Sequence, residues 1–237
     1  MPALRQVARS SGSFHLLVLC ALQQASYNGA IRVFLAHTPD SITRMKIVHY
    51  PHPSLRHPTR PLTSIDNDVR IQAARMLELM YEAKGVGLAT NQVFLSYQMF
   101  VMNPTADPEQ RELERIYINP VIVERKGTTE GEEGCLSFPK LYQKVRRAKT
   151  IKVQGYNIHG EAVEEVYDDM ASRICQHEID HVHGILFIDK MGAIAKLAVR
   201  GTLKEFEREF RKAQQRGEIP PDEELDKKLN EPPPPEM

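Results

Sequence analysis

Apolar residues recur with a helical period over residues 66–83, where Val69, Ala73, Met76, Leu77 and Met80 share one face. The same period returns over 192–215 and turns Ile194, Leu197, Ala198, Leu203, Phe206 and Phe210 toward a core or a partner, with Lys, Arg and Glu alternating on the solvated side. A third window, 171–183, holds no Pro or Gly; Ser172 offers a cap near its start and Gly184 stands where a left-handed residue would end it. Ile174, Cys175 and Ile179 are its inward residues. Runs rich in Ile, Val and Tyr at 97–103, 116–124, 150–157 and 161–167 read as β-strands, with 157–160 as the hairpin turn between the last two. Strands gathered ahead of the 171–183 helix place the chain in the α+β class. The expected architecture is antiparallel β-sheets packed around that central helix, followed by a C-terminal helix.

Two segments lack a clear period. Residues 132–139, Glu-Glu-Gly-Cys-Leu-Ser-Phe-Pro, gather Gly, Ser and Pro around one thiol and read as a tight extended loop. Residues 85–92, Gly-Val-Gly-Leu-Ala-Thr-Asn-Gln, allow two readings: a helix C-cap running into a buried strand, or a backbone that approaches a ligand closely. The second gains weight from Gln92, whose amide is a donor for a developing oxyanion. No nucleotide-binding glycine pattern completes it.

With 237 residues and 41% apolar composition, one domain plus extensions is expected, at 45–215. Zero formal net charge gives no electrostatic case for nucleic acid or a membrane surface. Residues 1–44 carry four arginines, no lysine, no glutamate and a single acid, Asp40. They read as an N-terminal extension, either an organelle transit peptide or the product of a start upstream of Met45. The apolar run from Phe14 to Leu22 is much shorter than the ~20 residues that span a bilayer. Residues 217–237 hold seven acids and six prolines, so 216–237 is expected to be a disordered tail. Three cysteines without a pairing pattern fit a reducing compartment.

The chemistry concentrates in residues 177–181, His-Glu-Ile-Asp-His. On a helix His177 and His181 project from one face, a turn apart, and can share one metal ion; Glu178 can then reach a water beside it. Cys135 is the best third ligand. Its rival Cys175 lies two residues before His177, about 200° around the helix axis and off the metal face. Three protein ligands with an open fourth position describe a catalytic site, whereas a closed structural site would need His183 or Cys175 as well. A zinc endopeptidase would take a downstream His or Glu instead of an upstream Cys.

Together, G-V-G-L-A-T-N-Q at 85–92, E-G-C-L-S at 133–137 and Q-H-E-I-D-H at 176–181 make the chain resemble peptide deformylase over about residues 45–190. Thr90 stands where that family usually has a second alanine, and Tyr142 where many members have arginine. Arg147 matches an arginine usual in the family. The resemblance implies that Cys135, His177 and His181 bind the metal, that Glu178 is the catalytic acid/base, and that Gln92 and the Leu136 backbone N–H bind the oxyanion. It implies that Val86 and Gly87 border the substrate cleft. It further implies Fe2+ in the cell, with Zn2+, Ni2+ or Co2+ able to substitute. Its substrates would be N-formyl-methionyl nascent polypeptides in a bacterial cytoplasm. The C-terminal helix would then be a candidate ribosome contact.

Overall fold

The computed structural model describes residues 45–231. The N-terminal extension and residues 232–237 lie outside them. Helix α1 (Asn67–Glu82) begins where Asp66 accepts a hydrogen bond from the Val69 N–H, an N-cap that satisfies one of the free amides of the first turn. Its buried residues Val69, Ala73, Met76, Leu79 and Met80 follow the expected face, with Leu79 inside and Leu77 half-buried.

A five-stranded antiparallel sheet follows in the order β1 (Gly87–Ala89), β2 (Met99–Met102), β3 (Arg115–Lys126), β6 (Thr150–Tyr156) and β7 (Ala162–Asp168). Strand alternation splits β2 between two cores. Met99 and Val101 join Leu88 and Ile118 beneath α1. Phe100 and Met102 join Tyr117, Ile151 and Val153 beneath α2 (Asp169–Val182), through Ile174, Cys175, Ile179 and Val182. The sheet is thus covered by a helix on each face, and β2 is buried on both. Helix α2 ends as expected: Gly184 has φ +72°, and a side chain there would meet the Arg56 carbonyl oxygen at 2.5 Å. Ser172 is not its cap. It lies inside the first turn, buried, and its hydroxyl donates to the Ala148 carbonyl at 3.1 Å.

The segment expected to be a loop at 132–139 is instead the heart of a second sheet, the hairpin β4 (Thr129–Cys135) and β5 (Phe138–Arg147). Glycines and glutamates conceal β4, which is held by its partner strand and not by apolar residues of its own. In β5, Phe138, Leu141 and Val145 are buried in a third core with Leu55, Phe187, Ile188 and Val199.

Helix α3 (Ala193–Gln215) buries Val199 and Phe210 and half-buries Leu203 and Phe206. Ile194 and Leu197 are 87% and 70% exposed, and the start of the helix packs through Ala195 and Val199 instead. The tail departs from expectation as well. Residues Asp222–Asn230 form α4, which buries Leu225 and Leu229, with Asp222, Glu223 and Glu224 at its N-terminus and Lys227 and Lys228 in its last turn. That charge order suits the helix dipole. Arg211 binds Asp222 at 2.6 Å, and Arg60 donates to the Leu229 and Glu231 carbonyls, each at 3.0 Å. The flanking prolines conceal a short helix that docks through two leucines one turn apart.

Candidate metal centre and active site

Helix α2 carries His177 and His181 on one face, ring centroids 4.9 Å apart, and the end of β4 brings Cys135 to them. The Cys135 Sγ lies 3.2 Å from His181 Nε2, and one ligand atom from each of the three residues lies within 4.8 Å of the others. His177 Nδ1 is bonded to Glu133 Oε2 at 3.1 Å, which leaves its Nε2 for the point of convergence. Burial, and then the neighbouring His177, hold the His181 imidazole well below its ordinary pKa, in the neutral form that ligates. Its Nδ1 has no hydrogen-bond partner among the described residues. One half-buried thiol and two buried imidazoles, drawn together, fit a divalent metal. Neither rival ligand joins them. Cys175 is fully buried in the core under α2, where burial pushes its thiol pKa up, and His183 Nδ1 pairs with the Ile179 carbonyl at 2.7 Å.

Glu178 is the next residue on the helix and is 4% exposed. Burial pushes its carboxyl up to about 7, and its Oε2 has no hydrogen-bond partner among the described residues. Gly87 makes room for it, since a Cβ there would sit 2.8 Å from the carboxyl carbon. Gln92 is oriented by its own turn: its Oε1 accepts from the Ala89 N–H at 2.9 Å. Its Nε2 therefore points at Cys135 Sγ (3.4 Å) and Ser137 Oγ (3.2 Å). Thr90 supports this turn, because its fully buried hydroxyl donates to the Met99 carbonyl at 3.0 Å. The departure from alanine at this position thus adds an anchor and leaves no polar atom stranded.

Gln92, Cys135, His177 and Glu178 line a cleft of about 730 Å³ between the β1 edge and the β4–β5 hairpin, together with Val86, Gly87 and Leu136. Val86 is 36% exposed on its wall, and the Leu136 side chain lies against Gly85.

Beneath the ligands lies a buried charge network for which the sequence offered only Arg147. Glu133 accepts from Arg147 Nε (2.8 Å) and Nη2 (2.9 Å), from Arg173 Nη1 (2.7 Å) and from His177. Arg147 also pairs with Asp180. Burial alone would raise the Glu133 pKa; Arg147 and then His177 hold it far below the usual carboxylate range. Arg173 reaches it across Gly131, where a Cβ would meet Nη2 at 2.8 Å. Besides Arg147, the sequence shows only that Glu133, Arg173 and Asp180 stand in the segments around the ligands.

Residues 44–196 match the family model described as polypeptide deformylase. A peptide deformylase of Rhodopirellula baltica is 42% identical over 175 residues, which cover 74% of this chain and 87% of that protein. The fold is similar to the crystal structure of peptide deformylase from Plasmodium falciparum, with a TM-score of 0.68 and 40% identity over 70% of this chain and 97% of that one. It is also similar to a plant peptide deformylase, with a TM-score of 0.70 and 33% identity over 75% of this chain and 95% of that one. Sequence, fold and the three ordered motifs agree, and the chain belongs to the polypeptide deformylase family.

Proposed function

We propose that this protein removes the formyl group from the N-terminal formyl-methionine of new polypeptides by hydrolysis, releasing formate and a free amine. The observation that carries the reading is the convergence of Cys135, His177 and His181 beneath one cleft that Cys135, His177 and Glu178 line. In this reading Cys135, His177 and His181 hold the metal. When bound, it supplies Lewis-acid polarisation and lowers the pKa of an adjacent water toward about 7. Glu178 takes the proton from the attacking water and delivers it to the departing amine; its burial matches it to both tasks near neutral pH. The Gln92 Nε2 and the Leu136 backbone N–H donate to the oxygen that becomes negative, a contribution of about 3–4 kcal/mol per donor. Val86, Ile174 and His177 wall the methionine side chain. Gly87, on the β1 edge, lets the peptide backbone lie alongside as an added strand, which leaves downstream side chains largely unread.

We propose Fe2+ as the cellular metal from membership of the family, with Zn2+, Ni2+ or Co2+ able to occupy the same thiolate and imidazole ligands. We place its action in the bacterial cytoplasm, a reducing compartment that suits the free Cys135 and Cys175, with organelle targeting by residues 1–44 as the alternative. No helix among the described residues is long and apolar enough to cross a membrane. The exposed Ile194 and Leu197 of α3 support a ribosome contact through that helix.

The test is anaerobic release of the free amine Met-Ala-Ser from formyl-Met-Ala-Ser (with formate) and from acetyl-Met-Ala-Ser (with acetate) by protein of known metal content. Fast release from the formyl peptide is expected, with the acetyl peptide far slower because its methyl must fit the crowded space between Gln92 and Cys135. Equal kcat/KM for the two, or no release at full occupancy, would overturn the reading.

A further inference from the structure

We propose that Tyr142 is a specificity-determining residue, an aromatic platform that favours N-formyl-methionyl peptides with apolar or aromatic side chains just after the methionine. The inference rests on the deformylase reading and deepens it. Tyr142 is paired with Gly134 across the β4–β5 ladder, and Gly134 directly precedes Cys135. A Cβ on Gly134 would meet Tyr142 Cε1 at 2.4 Å and Cδ1 at 2.6 Å, so the ring rests on bare glycine backbone beside the metal ligand. This glycine seat fixes one side of the ring, while the residue remains 60% exposed and lines the cleft.

A large aromatic side chain held in place with its free face open to a cleft has apolar surface to bury against a ligand, at little further entropic cost. Across the same cleft Met170 and Val86 are likewise exposed, at 58% and 36%. The hydrolysed bond must lie beside Cys135 and Glu178. An extended peptide advances about 3.3 Å per residue, and paired strands lie about 4.8 Å apart. From the position of Cys135, the ring is therefore in reach of the second or third substrate residue. Besides the buried Glu133, Arg173 and Glu178, the charged residues that line the cleft are Lys84, Lys140 and Glu132, and Glu132 opposes the two lysines. Selectivity at this position therefore follows apolar area more than charge.

The experiment compares kcat/KM for formyl-Met-X-Ser and formyl-Met-Ala-X, with X as Phe, Leu, Ala or Asp, in the metal-loaded wild type, Tyr142→Phe and Tyr142→Ala. At one of the two positions the wild type should favour Phe over Asp by about 3- to 10-fold, the range of a single aromatic contact. Tyr142→Phe should retain that ratio and Tyr142→Ala should bring it close to one. Because each ratio is internal to one variant, altered metal loading or folding does not mimic the result. Calorimetric binding of the deformylated Met-Phe-Ser and Met-Asp-Ser, and of Met-Ala-Phe and Met-Ala-Asp, reads the same preference without turnover. A wild-type ratio near one at both positions, or one that survives Tyr142→Ala, overturns the platform. Failure to hydrolyse any formyl peptide would strike the deformylase reading, while product binding would still decide the role of Tyr142.

Discussion

A methyl group on Gly87 would lie 2.4 Å from Oε1 of Glu178. The glycine on the sheet edge and the carboxylate on the helix therefore occupy complementary volumes, and the second glycine of the 85–92 segment is explained by what it leaves vacant. Gly87→Ala should push the carboxylate aside without touching a metal ligand. We expect metal content to be kept and kcat to fall at least about 10²-fold, as for Glu178→Gln, the loss typical of a displaced general acid/base. Metal analysis alongside formate release checks both. Near-normal turnover of either variant at full occupancy would remove Glu178 from the mechanism.

The two described cysteines offer a clean contrast. Cys135→Ala should bind metal much more weakly, while Cys175→Ala should keep it and lose only packing in the core under α2. Competition with a coloured chelator measures the two affinities. Equal affinities would refute the ligand assignment.

Glu133 holds His177 Nδ1 while two arginines hold Glu133. Glu133→Gln removes the negative charge and leaves Arg147 and Arg173 buried with less compensation. Breaking such a pair costs about 3–5 kcal/mol, and loss of a carboxylate behind a histidine ligand costs about 10- to 100-fold in metal affinity. Urea unfolding of the metal-free protein and chelator competition separate the two effects. Gly131→Ala, two residues before Glu133 on β4, crowds Arg173 and should weaken metal binding in the same direction.

His52 gives a pH signature away from the metal centre. It is 6% exposed, packs edge-on against Phe94 and Phe210, and burial pulls its pKa down to about 4. Between pH 6.5 and 4 the unfolded chain therefore binds a proton that the folded one refuses, so stability falls as pH falls through that window and is fully present above it. From pH 7 to 4.5 the wild type should lose of order 2 kcal/mol more than His52→Gln. Urea midpoints at the two pH values test this, and parallel losses would contradict it.

Helices α1 and α3 were legible in the sequence because long amphipathic periods survive local noise. The reactive part of α2 was legible because its ligand spacing is local to one helix. Strand β4 was not, since Thr-Glu-Gly-Glu-Glu-Gly-Cys has no apolar alternation and its stability comes from β5. Helix α4 was hidden among prolines and acids, although Leu225 and Leu229 stand one turn apart. The Glu133–Arg147–Arg173–Asp180 network was mostly unseen because charged residues ordinarily signal a solvated face, and only tertiary pairing makes their burial tolerable. Gln92 was foreseen as a donor, but its orientation depends on the Ala89 amide and could only be seen in the folded turn.

Between Cys135 and His177 the chain must build β5, β6 and β7. The histidine pair forms as soon as α2 does, whereas the thiol arrives only when the hairpin has docked against that helix. The complete ligand set therefore exists only where the β4–β5 hairpin is docked on α2, so a metal that binds all three residues stabilises that docking.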